Sequence, residues 1–80
     1  LGQENQLIDK KVDARGLSCP LPLLKAKQAL NSVGQGAVVE VMSDDPSSER
    51  DFNVFSKQSG HELLLVENLN NVFTFRIRKA

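Results

Sequence analysis

The chain has 80 residues, 40% of them apolar, and its ten Lys and Arg residues balance ten Asp and Glu residues. That length makes a single domain, enough to cover one side of a small sheet and too little for a second core or a deep substrate cavity. The neutral balance gives no bulk attraction for nucleic acid or anionic lipid. No apolar run approaches the ~20 residues needed to cross a bilayer. One cysteine closes no internal disulfide, so a reducing, cytoplasmic setting is expected. The N-terminal residues Leu1 to Gln6 have neither the charge nor the apolar stretch of a signal peptide. The chain divides into an expected flexible tail at 1–5 and a single domain over 6–80.

Residues 6–13 predict a short edge strand with Ile8, Lys10 and Val12 on one face, the lysine making the alternation imperfect. Arg15-Gly16-Leu17-Ser18 breaks it, and Pro20 and Pro22 then announce a helix, because proline suits a first turn whose N–H groups lack intrahelical partners. Leu23, Ala26, Leu30 and Val33 fall on one stripe of that helix, and Lys25, Lys27, Gln28 and Asn31 fall outside it. The pattern predicts about 14 residues, or about 21 Å, with Gly34 as the stop. Residues 37–43, rich in branched side chains, predict a central strand.

Asp44-Asp45-Pro46 reads as a second strand-to-helix transition, with Asp45 at the N-cap and Pro46 at the first helical position. Glu49 and Asp51 add favourable charge to that helix start. Phe52 and Phe55 mark its buried side and Gly60 ends it. Residues 61–67 predict a third strand and 68–71 a turn. From Val72 to Arg78, Phe73, Phe75 and Ile77 alternate with Thr74, Arg76 and Arg78, the cleanest period of two in the chain. The order β-α-β-α-β-β, with right-handed crossovers, places both helices on one face of a four-stranded mixed sheet: an α+β, two-layer sandwich with one sheet face uncovered.

If the first two strands are parallel, the loops after them share one edge of the sheet, where such folds bind ligands. That rim gathers 13–19, 43–46 and the hairpin turn, and it holds Cys19 at a helix N-terminus. A thiol there is expected to be somewhat easier to ionise than a free one, through the helix dipole and unpaired N–H groups of Leu21 and Leu23. Arg15 adds a positive charge, and Asp13, Asp44 and Asp45 oppose it. One Cys and one His cannot make a four-ligand zinc site, and His61, at the start of the third strand, belongs to the opposite rim. No metal or cofactor is expected. One exposed thiol acting alone can hold a group transiently, as a persulfide, thioester or mixed disulfide.

The segment Val12-Asp13-Ala14-Arg15-Gly16-Leu17-Ser18-Cys19-Pro20-Leu21-Pro22 resembles the signature of the TusA/SirA-type sulfur-carrier family, built around C-P-x-P. The similarity continues through Ser43-Asp44-Asp45-Pro46, Gly60-His61-Glu62-Leu63 and Ile77-Arg78-Lys79, nearly the whole chain. The resemblance implies the same two-layer fold. It also implies a sulfurtransferase-type role in which the cysteine of the motif carries sulfane sulfur as a persulfide. In the family the sulfur comes from a cysteine desulfurase or another persulfide donor and passes to an acceptor protein. One route leads to 2-thiouridine in tRNA, and others serve sulfur oxidation, molybdenum-cofactor or selenium metabolism. By position, the implied persulfide site is Cys19, shaped by Pro20, Pro22, Leu21 and Arg15.

Asp44, Asp45, Leu17, Lys25 and Lys27 are the candidate partner contacts, with Leu17 and Leu21 as an apolar docking patch around the sulfur. Two other function classes compete: a regulatory protein-interaction domain with an incidental cysteine, and an RNA-binding module on the open sheet face. The second needs exposed aromatics, and the alternation turns Phe73 and Phe75 toward the helices. No direct nucleic-acid binding, no membrane association and a monomeric state are therefore expected.

Overall fold

The alternation of Val72–Arg78 sets the core. In the computed structural model, which describes residues 8–80, Phe73, Phe75 and Ile77 are buried in strand β4 (Val72–Arg78). The strands are β1 (Lys10–Asp13), β2 (Val38–Ser43), β3 (Glu62–Leu69) and β4, with helices α1 (Leu21–Asn31) after β1 and α2 (Ser48–Ser59) after β2. The sheet order is β1-β2-β4-β3, with β1 parallel to β2 and β4 antiparallel to both β2 and β3. The element order, the mixed sheet and the α+β class are those the sequence predicts.

Burial in α1 falls on Pro22, Ala26, Ala29 and Leu30. Two of these, Ala26 and Leu30, belong to the expected stripe, whose Leu23 and Val33 are only half-buried, and the two alanines let the helix approach the sheet. In α2, Phe52 is buried and stacks on Phe75 with ring centroids 4.1 Å apart and planes 4° from parallel. Val39 and Val41 of central β2 complete the layer. On the other face of the sheet, Arg76 pairs with Glu40 at 2.9 Å and Arg78 with Glu62 at 3.2 Å. Each pair joins residues directly opposite one another across two strands.

Several boundaries move. The tail at 1–5 lies outside the described residues, and the strand expected over 6–13 occupies only Lys10–Asp13. Its imperfect alternation has a cause: the Lys10 Nζ donates to Ser32 Oγ at 2.9 Å, spanning the end of α1 instead of entering the core. Helix α1 ends at Asn31, with Ser32 as its C-cap, before Gly34. The N-cap of α2 is Ser47, not Asp45. The turn tightens to Asn70 and Asn71, with φ of 53° and 67°, the pair of positive values that a two-residue hairpin loop requires and that Asn tolerates. A register shift between Leu63 and Leu65 lets Leu63 pack on the core while Leu65 pairs with Arg76.

Phe52→Ala removes the ring that joins α2 to the sheet and is expected to cost about 3–5 kcal/mol. That is a large share of the stability of so small a domain, about 5–15 kcal/mol. Urea unfolding followed by circular dichroism measures it.

Candidate functional site

Parallel pairing of β1 with β2 brings the loops that leave them to the same edge of the sheet. The second loop then ties the first down. The Gly16 N–H donates to both carboxylate oxygens of Asp44, at 3.1 and 3.2 Å. Gly16 has φ +83°, a left-handed conformation that suits glycine. The Cys19 N–H donates to Asp45 Oδ2, which also accepts from the Ser47 hydroxyl at 3.0 Å, while Oδ1 accepts the Ser47 N–H at 3.2 Å. These donors, Ser47 first, hold the Asp45 carboxyl below its ordinary range. Beneath them, the buried hydroxyls of Ser43 and Ser48 lie 2.6 Å apart, and Ser43 Oγ accepts the Asp45 N–H at 3.1 Å.

Cys19 is exposed on this loop, one residue outside the N-cap of α1, which is Pro20, and the Cys19–Pro20 peptide is cis. Pro22 is buried in the first turn and Leu21 is exposed. The Leu21 N–H, expected to face the sulfur, donates to the Ser18 carbonyl at 2.9 Å. Arg15 is also occupied: Nε and Nη2 donate to the two oxygens of Asp13 at 2.9 and 2.8 Å. That fork holds the Asp13 carboxyl at about 2.

The expectation of a thiol somewhat easier to ionise than a free one is not met. Cys19 Sγ donates to Asp51 Oδ2 at 3.2 Å, across from the loop before α1 to the first turn of α2. This hydrogen bond is the main cause that raises the thiol above its ordinary range, and the Ser47 hydroxyl works against it. Partial desolvation and the negative charges of Asp51 and Asp45 add to the rise. The sequence reading treats Asp51 only as a helix-start charge. Its position carries a further signal, for it lies three residues after buried Ser48 and four before half-buried Phe55, on the inward stripe of α2.

The other candidates separate. Leu17 packs against the core, whereas Leu21 and Leu24 are 42% and 46% exposed. Lys25 is exposed, and Lys27 lies over the Phe55 ring, its Nζ 5.4 Å from the centroid. Asp44 and Asp45 spend their carboxylates inside the chain, holding the cysteine loop. His61 stands at the opposite rim, where its Nδ1 accepts the Ala80 N–H at 2.9 Å. Among the described residues, no group of three or more His, Cys, Asp or Glu side chains is placed to hold a metal ion, and no helix is long and apolar enough to cross a membrane.

Asp45→Ala is expected to abolish hydrogen-exchange protection of the Cys19 amide while leaving amides of β4 protected. Exchange followed by NMR measures both. Asp13 gives a pH signature. Its folded value lies below the unfolded one, so the Asp13–Arg15 pair contributes above about pH 4 and is lost as pH falls through about 2. The Asp13 carboxyl carbon is expected to titrate in NMR with that low midpoint.

The chain is similar to known proteins over nearly its whole length. Residues 10–79 match the family described as Sulfurtransferase TusA. The chain is 44% identical over 72 residues to the sulfur carrier protein TusA of Allochromatium vinosum, covering 90% of this chain and 95% of that one. It is 36% identical over 76 residues to the sulfur carrier protein TusA of Pseudomonas syringae, covering 95% and 90%. The crystal structure of a SirA-like protein from Desulfitobacterium hafniense superimposes with a TM-score of 0.76 at 31% identity, over 86% of this chain and 95% of that one. With its fold, its C-P-x-P loop and these relatives in agreement, the chain belongs to the TusA family of sulfur carriers.

Proposed function

We propose that Cys19 accepts sulfane sulfur as a persulfide and hands it to the thiol of an acceptor protein. One observation carries this reading: the sole cysteine is exposed on a loop that is fixed from both sides, by Asp44 at Gly16 and by Asp45 at Cys19 itself. A sulfur that must meet two successive protein partners needs exposure and a fixed location more than it needs a pocket. In loading, the Cys19 thiolate attacks the outer sulfur of a donor persulfide. The donor's S–S bond breaks, its thiolate leaves and takes up the proton that Cys19 has lost. In delivery, an acceptor thiolate attacks the outer sulfur and Cys19 returns to the thiol. Sulfur changes owner at each step with no external oxidant, and the rate follows thiolate fraction, nucleophilicity and access.

A cysteine desulfurase is a suitable donor, and a reducing cytoplasm suits a free thiol. Leu21 and Leu24, exposed beside the loop, give an apolar contact for either partner, with Lys25 at its margin. The RNA-binding alternative loses its aromatic platform, because Phe73 and Phe75 are both buried against the helices.

Incubation with a cysteine desulfurase and cysteine is expected to add the mass of one sulfur atom to the intact protein. The addition is reversed by dithiothreitol and absent in Cys19→Ser. Failure to gain this mass with several persulfide donors, while the protein remains folded, overturns the carrier reading.

A further inference from the structure

The neighbourhood of Cys19 contains more negative charge than a nucleophile requires. Asp51 reaches it from α2 and Asp45 from the preceding loop. Of the nearby cations, Arg15 is engaged on Asp13 and Lys27 lies over the Phe55 ring, while Arg50, 79% exposed, stands 3.8 Å from the other oxygen of Asp51 and offsets its charge only from the solvent side. The Asp51 side chain is only 21% exposed. It lines a groove of about 160 Å³ between the helices with Leu23, Lys27, Val54, Phe55 and Gln58. Cover of this kind weakens solvent screening of the contact between Asp51 and Cys19.

We propose that Asp51 is a restraint on the empty carrier: it accepts the hydrogen bond of the Cys19 thiol, keeps the sulfur protonated and turned toward α2, and loses that bond when sulfur is loaded. The second half follows from the chemistry of loading and rests on the carrier reading above. Loading breaks the Cys19 S–H bond and sends its proton to the donor's leaving thiolate, while a bond from Sγ to the transferred sulfur forms and the donor's S–S bond breaks. Sγ then has no hydrogen to give. The outer sulfur is more acidic than a thiol, and its anion is repelled by the carboxylates of Asp51 and Asp45. Attraction in the empty state becomes repulsion in the loaded state, which turns the transferred sulfur outward toward an acceptor.

Alkylation of the purified protein by iodoacetamide, followed across pH, tests the restraint without any sulfur donor. Wild type is expected to show a midpoint above that of an unstructured peptide of residues 15–23, and Asp51→Asn a midpoint shifted to lower pH with unchanged circular dichroism. For each pH unit of that shift, thiolate fraction rises about tenfold while nucleophilicity falls about threefold, so alkylation at neutral pH quickens about threefold. A wild-type midpoint at or below that of the peptide overturns the proposal even if the variant fails to fold. An unchanged midpoint in folded Asp51→Asn also overturns it. Because neither measurement involves persulfide, a carrier that alkylates as expected but never gains sulfur sinks the function and leaves the restraint standing.

Discussion

The hydrogen bond from the Cys19 backbone to the Asp45 carboxylate is the constraint around which the rim is organised. It joins the loop after β1 to the loop after β2, two segments that share nothing in sequence and meet only because their strands run parallel. Asp45 accepts from Ser47 as well, so a single side chain shapes the approach to α2 and pins the residue before α1. A neutral side chain would serve less well in both tasks, since bonds to an ionised acceptor are roughly twice as strong as neutral ones. The charge has a consequence for the sulfur: the group that fixes the cysteine's position also makes its thiol harder to ionise. Placement and activation oppose each other in this site.

The layer below makes that arrangement rigid. Ser43 ends β2 and Ser48 begins α2, and their hydroxyls, both buried, satisfy each other while Ser43 also accepts the Asp45 N–H. An unpaired hydroxyl at this depth would cost about 1–3 kcal/mol. Pairing it inside the junction avoids that cost and fixes where the acidic loop leaves the sheet. From there α2 runs over the sheet with Phe52 stacked on Phe75, which sets how closely its first turn, and so Asp51, approaches the cysteine. Core packing and thiol chemistry are in this sense continuous, through one helix.

Most of the architecture was legible because it is periodic. Phe73, Phe75 and Ile77 in β4 and the stripe of α1 state their own burial, and Gly60, in the left-handed conformation at the end of α2, is a stop that a glycine announces. The residues that misled are those whose partners lie far away in the chain. Asp45 has the composition of a helix cap, yet its carboxylate is drawn toward Cys19, 26 positions earlier, and the cap moves to Ser47. Lys10 looked out of place in its strand until Ser32 supplied an acceptor. The acidity of Cys19 is hidden for the same reason. A helix dipole, Arg15 and three nearby aspartates are visible locally, but Arg15 is neutralised by Asp13, and the decisive carboxylate comes from α2.

A domain this small cannot enclose a reactive sulfur, because most of its apolar surface is committed to a single layer of core beneath two helices. Control therefore has to act on the atom itself. A thiol left exposed and fully ionised would react with any electrophile it met, whereas one that donates to a carboxylate is quieter and still accessible. Reactivity is then set at the rim itself, by the bond from Cys19 to Asp51 and by the charge of Asp45 beside it.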